Sequence, residues 1–211
     1  MIEYFTDSNI DDRIVTKAAK ILTDGGIVAY PTDSSWSIGC SAKNKAAVEK
    51  LKKIKGGMEE FPMTVICSNI SQISSIAELD NDSFKLIRKN VPGPFVFILK
   101  ATYNIEKIIG QKRAEVGVRI PRTKIIHHVI DEIGSPLFAV SASKKMIDPD
   151  KYEHYYKEES MFGYGCELED IRGLDLILDN GKELVRNTST VIRLTEDEPE
   201  IIRQGEEEIN W

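Results

Sequence analysis

The chain has 211 residues, of which 41% are hydrophobic and 29% are charged, and its formal net charge is −6. This length fits one α/β domain over residues 1–211, whose folding would bury roughly 70% of the surface of the unfolded chain. The composition excludes collagen-like and disordered proteins, and apolar runs no longer than a strand exclude a membrane-spanning helix.

Four segments have the apolar spacing and the capping residues that are typical of helices. The first follows a Ser8 or Asn9 cap and ends at Gly25-Gly26, because glycine adopts the left-handed conformation at a helix end at little cost. The other three are predicted after an Asn44 cap as far as Gly56-Gly57, over residues 80–90 and over residues 124–133.

Short apolar runs bounded by turn residues predict eight strands. They lie at residues 27–30, 63–67, 95–100, 116–120, 137–140, 174–178, 190–194 and 200–203. The polar and aromatic segment 148–170 has little periodicity beyond one short helix. Strands and helices alternate in the first part of the chain and strands cluster at its end, which predicts an α/β fold on a mixed sheet with flanking helices.

Metal-binding and catalytic signatures are absent from the sequence. His127, His128 and His154 have no ligand spacing with the cysteines, and adjacent helical residues diverge by about 100°, so His127 and His128 cannot share an ion. The three cysteines include no Cys-x-x-Cys pair, and the N-terminus has no signal-peptide pattern. We therefore expect no protein-bound metal, no catalytic side chain, no membrane association and a cytoplasmic location.

Hydroxyl groups and arginines occur where predicted strands begin or end. A hydroxyl-rich loop such as the one that begins at Thr32 can donate to a bound anion, although the same composition is more often only a turn. Arg119 lies in an apolar strand and must be paired, either with a structural carboxylate or with the carboxylate or phosphate of a ligand. Ser189 precedes one of the last strands, and Arg203 ends another.

Positive charge is concentrated in two segments despite the negative net charge. Residues 45–55 contain five lysines and one glutamate, and residues 107–124 contain six lysines or arginines and one glutamate. These segments either meet in an anion-binding site or form solvated helix faces and loops. If RNA binds, we expect contacts to its phosphates rather than its bases, because aromatic residues make up only 8% of the chain.

Six blocks in the same order resemble the YrdC/YciO family over about 175 residues, and the YciO branch most closely. The blocks are Pro31-Thr32-Asp33 with Gly39-Cys40, Pro92-Gly93-Pro94, Gly117-Val118-Arg119-Ile120-Pro121, Ser141-Ala142, Ser189-Thr190-Val191 and Arg203 with Gly205. The resemblance implies a twisted sheet with flanking helices and a concave basic groove.

The resemblance also implies a nucleotidyltransferase of the threonylcarbamoyl-AMP synthase type. Such enzymes convert L-threonine, bicarbonate and ATP with Mg²⁺ into threonylcarbamoyl-AMP and pyrophosphate, as a step of tRNA modification. The chemistry needs positioning and fixed positive charge rather than a protein nucleophile. The residues that match the family's substrate- and nucleotide-binding positions are Thr32, Lys55, Arg119, Ser141, Ser189 and Arg203.

Several positions depart from the family pattern, among them Trp36-Ser37 where the pattern has Tyr-Gly. Gly57 replaces an arginine of the phosphate grip, Phe61 replaces a basic residue or histidine, and Ser143 replaces an asparagine. Losing one preorganised donor can slow such chemistry by roughly 10²–10³-fold. The sequence therefore leaves open a weak threonylcarbamoyl-AMP synthase, a non-catalytic protein of the same fold that binds nucleotide, tRNA or double-stranded RNA, and a related enzyme with a different adenylate chemistry.

Overall fold

The computed structural model describes residues 1–56, 63–102, 115–154, 159–196 and 198–211. In these ranges the helices are α1 (Asp12–Thr23), α2 (Lys45–Ile54), α3 (Ile70–Ile76), α4 (Asn81–Asn90) and α5 (Lys124–Ile133). The strands are β1 (Ile2–Tyr4), β2 (Val28–Pro31), β3 (Trp36–Ser41), β4 (Thr64–Ile66), β5 (Phe95–Lys100), β6 (Glu115–Arg119), β7 (Leu137–Ser141), β8 (Leu176–Asp179), β9 (Thr190–Arg193) and β10 (Glu200–Arg203). None of these helices has the length and apolar character that a bilayer crossing requires.

All ten strands form one mixed sheet in the order β1-β8-β2-β3-β7-β4-β6-β5-β9-β10. Parallel pairing joins β1 to β8, β2 to β8, β4 to β6 and β5 to β9, whereas the other neighbours are antiparallel. The predicted α/β fold, a twisted mixed sheet with flanking helices, is confirmed.

The two faces of the sheet pack against different helices. One face forms a core with α2, α3 and α4, whose Leu51, Ile73 and Ile87 are fully buried. The opposite face packs on α1 and α5 along β8, β2 and β7. Side chains alternate along a strand, so Val116 and Val118 of β6 enter the first core, whereas Glu115, Gly117 and Arg119 face the other side. There, the part of the sheet formed by β4, β6, β5 and β9 borders an open cavity.

Several local features of the structure differ from the predictions. Helix α1 does not begin after Ser8 or Asn9, because Asp11 is its cap and accepts a hydrogen bond from the Arg13 amide at 2.9 Å. Strand β3 was not expected, since its serines suggest a loop. Its residues alternate nevertheless, and Trp36 is among the apolar residues that it places in the first core. The short helix expected within 148–170 is a 3₁₀ turn at Gly165–Leu168.

The first core provides a test of the fold. Phe97 of β5 is fully buried, and replacing it with alanine removes apolar contacts and leaves a cavity. We expect Phe97→Ala to lower the free energy of unfolding by about 3–5 kcal/mol. The matched control is Phe84→Ala on α4, where the side chain is 38% exposed and the loss should be below about 1 kcal/mol. Equal losses in urea unfolding would contradict this core assignment.

Candidate functional site

The hairpin between β2 and β3 ends in a tight turn of hydroxyl residues. The Thr32 amide donates to the Ser35 carbonyl at 3.2 Å, and the Thr32 hydroxyl donates to the same carbonyl at 2.6 Å. The amides of Ser34 and Ser35 in turn donate to the Thr32 hydroxyl oxygen at 3.2 Å. This turn is held internally, so its remaining side-chain groups have fixed directions.

Arg119, the last residue of β6, fastens the hairpin tip to the rest of the sheet. Its Nη1 donates to the hydroxyl oxygens of Ser34 and Ser189 at 2.9 Å each. Its Nη2 forms an ion pair with Asp33 and a longer contact of 3.4 Å with the Thr32 hydroxyl. Arg119 is only 5% exposed, and a charge at this depth requires such partners. Of the two partners that the sequence allowed, the structure contains the structural carboxylate.

These contacts require a strongly curled sheet. Four strands, β7, β4, β6 and β5, separate β3 from β9 in the sheet order. The hairpin tip nevertheless contacts the start of β9, where the Ser34 and Ser189 hydroxyl oxygens lie 3.3 Å apart. The regular twist between neighbouring strands accumulates over a wide sheet and brings distant corners together. The concave face that results encloses the candidate site.

A cavity of about 720 Å³ occupies this concave face. Its floor is made of strands β4, β6, β5 and β9, and its lining includes the apolar side chains Ile66, Val96, Ile98, Val191 and Ile202. The charged groups in the described lining are Lys55, Glu115, Arg119 and Arg203. A basic character of the whole groove stays a prediction.

Arg203 reaches the cavity because the chain beyond β10 lies unusually close to the start of β9. A β-carbon on Gly205 would lie 2.3 Å from the Thr188 carbonyl oxygen, so only glycine fits there. The Arg203 guanidinium donates through Nε and Nη2 to the Ser189 carbonyl at 3.0 and 2.8 Å. Burial, and secondly the nearby charge of Arg119, lower the pKa of Arg203. Two cationic groups therefore converge on Ser189.

Five of the six predicted site residues line the one cavity, namely Lys55, Arg119, Ser141, Ser189 and Arg203. Lys55 at the end of α2 donates to the Ser141 carbonyl at 3.4 Å. Thr32 lies outside the lining and contacts it only through Arg119. Sequence reasoning did not assign Asp33 and Ser34 to the site, although they are neighbours of Thr32. Asp33 could have been found from the sequence, because a buried Arg119 requires a carboxylate partner.

The two buried thiols do not provide reactive groups. Burial raises the pKa of the Cys40 and Cys67 thiols to about 12, so both are protonated and unreactive at neutral pH. Burial also lowers the pKa of His127. Within the described parts of the chain, no three histidine, cysteine or acidic residues are grouped as metal ligands.

A family model for Sua5, YciO and YrdC proteins, described as telomere recombination, matches residues 20–205. The chain belongs to the Sua5/YciO/YrdC family. It is 30% identical over 203 residues to the uncharacterized protein YciO of Escherichia coli K12, and the match covers 96% of this chain and 94% of that protein. The crystal structure of E. coli YciO has a TM-score of 0.83 and covers 99% of this chain and 97% of that one at 28% identity.

A second group of relatives is named threonylcarbamoyl-AMP synthase. The Pyrococcus abyssi protein of that name is 26% identical over 202 residues, and the match covers 93% of this chain but 56% of the relative. A crystal structure of P. abyssi Sua5 complexed with L-threonine has a TM-score of 0.80, covers 97% of this chain and 57% of that one, and is 24% identical, which establishes the shared fold.

The departures from the family pattern are only partly described by the structure. Gly57, Phe61 and the basic residues 107–114 lie outside the described residues. Ser143 accepts a hydrogen bond from the Lys145 amide at 3.3 Å and begins a 3₁₀ turn. The neighbouring Lys144 forms an ion pair with Glu167 at 3.4 Å. These contacts engage Ser143 and Lys144 in local structure.

The buried ion pair predicts a marked effect of one carboxylate on stability. Asp33→Asn would leave the Arg119 charge without a counter-charge, and we expect a loss of about 3–5 kcal/mol in the free energy of unfolding. The matched control is Asp7→Asn, which breaks the exposed pair of Asp7 with Lys182 at 3.2 Å and should cost below about 1 kcal/mol. Denaturant unfolding at neutral pH distinguishes the two, and a small loss for Asp33→Asn would contradict the role given to the pair.

Proposed function

We propose that this cavity binds ATP and L-threonine and forms threonylcarbamoyl-AMP. The observation that carries the proposal is the convergence of Lys55, Arg119, Ser141, Ser189 and Arg203 on one cavity, since these are positions that match the family's binding pattern. Membership of the Sua5/YciO/YrdC family and relatives named threonylcarbamoyl-AMP synthase support it.

The reaction needs little covalent participation by the protein. The amine of threonine combines with bicarbonate to give a carbamate and water. A carbamate oxygen then attacks the α-phosphorus of ATP, a new P–O bond forms, and the bond to the leaving pyrophosphate breaks. Catalysis of such a displacement depends on alignment of the two substrates and on fixed positive charge near the phosphates. A cavity of hydroxyls, lysine and arginine is suited to that task.

The threonine carboxylate would lie at the Arg119 end of the cavity. Both terminal nitrogens of Arg119 are already engaged by the hairpin tip and Ser189, so Arg119 acts through the hydroxyls that it holds. The Ser34 and Ser189 oxygens accept from Arg119, and a hydroxyl can donate its own hydrogen at the same time. The Ser189 hydroxyl, which lines the cavity and has the buried charge of Arg119 behind it, would then donate to the carboxylate.

The phosphates would lie between Lys55 with Ser141 on one side and Arg203 on the other. Mg²⁺ would arrive with ATP and neutralise phosphate charge, and the hydroxyl oxygens of Ser37 and Ser141 in the lining are acceptable ligands for this hard cation. Because Gly57, Phe61 and Ser143 replace residues of the family's phosphate grip, we propose slow turnover. The threonylcarbamoyl group would pass onward to tRNA through a partner system.

Pyrophosphate release tests the proposed reaction. Release by the wild-type protein should require ATP, L-threonine and bicarbonate together, and Arg203→Ala should slow it by roughly 10²-fold because a cation at the phosphates is lost. Arg88→Ala, which removes an exposed arginine from α4, is the matched control and should retain the wild-type rate. Release that ignores threonine would contradict the proposal. No release, with RNA or nucleotide binding retained, would favour a non-catalytic binding protein.

Calorimetric titration with L-threonine tests the role of Arg119. Arg119→Lys should weaken binding by about tenfold or more, because lysine lacks the planar fork that reaches Ser34, Ser189 and Asp33 at once. Arg88→Lys is the control, and the melting temperature of each variant reports whether the fold is intact. Unchanged threonine affinity in a folded Arg119→Lys protein would rule out this role.

A further inference from the structure

One strand of the cavity floor has opposite charges at its two ends. Side chains alternate along a strand, so Glu115, Gly117 and Arg119 of β6 all face the cavity, and all three line it. The first and last of these residues are four positions apart, or about 13 Å along the strand. The floor therefore runs from a hydrogen-bond acceptor, across a position without a side chain, to a group of donors.

Glu115 is held in place but keeps capacity to accept. The Thr195 hydroxyl donates to its Oε1 at 2.9 Å, and Arg193 Nε lies 3.4 Å from the same oxygen. Arg193 is itself fixed by an ion pair with Glu200 at 3.0 Å. Among the described residues both contacts of Glu115 use Oε1, and its side chain is 39% exposed. Oε2 can therefore accept from a ligand, and a carboxylate has no hydrogen to donate.

Gly117 makes the middle of the floor flat. A β-carbon there would lie 3.3 Å from Val96 Cγ1 and 3.8 Å from the Thr64 hydroxyl oxygen. The neighbouring floor residues on β5 and β9, Ile98 and Val191, are apolar. A flat apolar floor favours a planar ring, because such a ring can lie in contact with it over its whole face.

We propose that Glu115 selects the base of the nucleotide by accepting a hydrogen bond from an exocyclic amino group. The ring would lie over Gly117 and the phosphates would point towards the space between Lys55 and Arg203. This assignment rests on the proposed nucleotide site and adds its base specificity. Adenine carries an amino donor at its 6-position, whereas a 6-oxo purine carries an acceptor there and would have to shift in the site to offer its N1–H instead. A site built around such a hydrogen bond rejects the analogue that lacks it.

Direct binding of ATP and ITP tests the assignment, because the two differ at the 6-position, amino in one and oxo in the other. Calorimetry on the wild-type protein should give a dissociation constant for ATP that is lower than that for ITP by about tenfold or more. Glu115→Gln introduces an amide that can donate to the oxo group. The ratio of the ITP dissociation constant to the ATP dissociation constant should therefore fall towards one. Glu196→Gln, which removes an exposed acid outside the cavity lining, should keep the wild-type ratio.

Two further variants keep the test independent of any loss of folding. Glu115→Asp retains the charge but withdraws the oxygen by one methylene, and it should weaken ATP binding without weakening ITP binding. Gly117→Val raises the floor and should weaken both nucleotides alike, with the melting temperature reporting whether the fold is intact.

The assignment of Glu115 and the proposed reaction are contradicted by different results. Equal affinity for ATP and ITP, or a ratio unchanged in Glu115→Gln, would overturn the assignment of Glu115. Failure of both nucleotides to bind would overturn this assignment and the proposed function together. Selective binding of ATP that depends on Glu115, without threonine-dependent release of pyrophosphate, would support the assignment and contradict only the proposed reaction.

Discussion

Arg119 is the charge on which the site depends. A guanidinium that is 5% exposed must be compensated in place, and its partners come from the β2–β3 hairpin tip and from the start of β9. These segments are distant in the chain and in the sheet order. The hydrogen bonds and the ion pair of this one buried cation therefore hold two corners of the sheet together and maintain the concave face that they border. The same contacts hold Ser34 behind the cavity and Ser189 in its lining.

This arrangement suits the proposed displacement, which needs no nucleophile from the protein. Hydroxyls backed by a buried cation offer donors whose directions are set before a substrate arrives, and such preorganised donors are effective where negative charge develops. Arg203 adds a second cation that is positioned by the backbone of Ser189. Because the two cations lie next to each other, repulsion between them is relieved when an anion binds. This is the physical basis for the anionic ligand that we propose.

Much of the fold and several residues of the candidate site could be predicted from the sequence. Apolar periodicity gave the helices that became α2, α4 and α5, because their buried stripes are regular. The residues matched to the family pattern lie along the whole chain, and five of the six line one cavity. Their ligand roles remain predictions.

Other features depended on tertiary contacts that no local pattern encodes. Whether Arg119 pairs with Asp33 or with a ligand depends on how far the sheet curls, which arises from the twist of many strand pairs. Strand β3 was missed because its inward residues alternate with serines that resemble a turn. Glu115 was not predicted as a site residue from the sequence, because an acidic residue beside an apolar run is common. Its position in the cavity follows only from the register of β6 with β4 and β5.

A crystal structure of the protein with L-threonine and a non-hydrolysable ATP analogue tests the central claim most directly. We expect the threonine carboxylate within hydrogen-bonding distance of the Ser189 hydroxyl, with the Asp33–Arg119 pair intact behind it. We also expect phosphates between Lys55 and Arg203. Ligands bound elsewhere with this cavity unchanged, or a carboxylate that displaces Asp33 from Arg119, would contradict that claim.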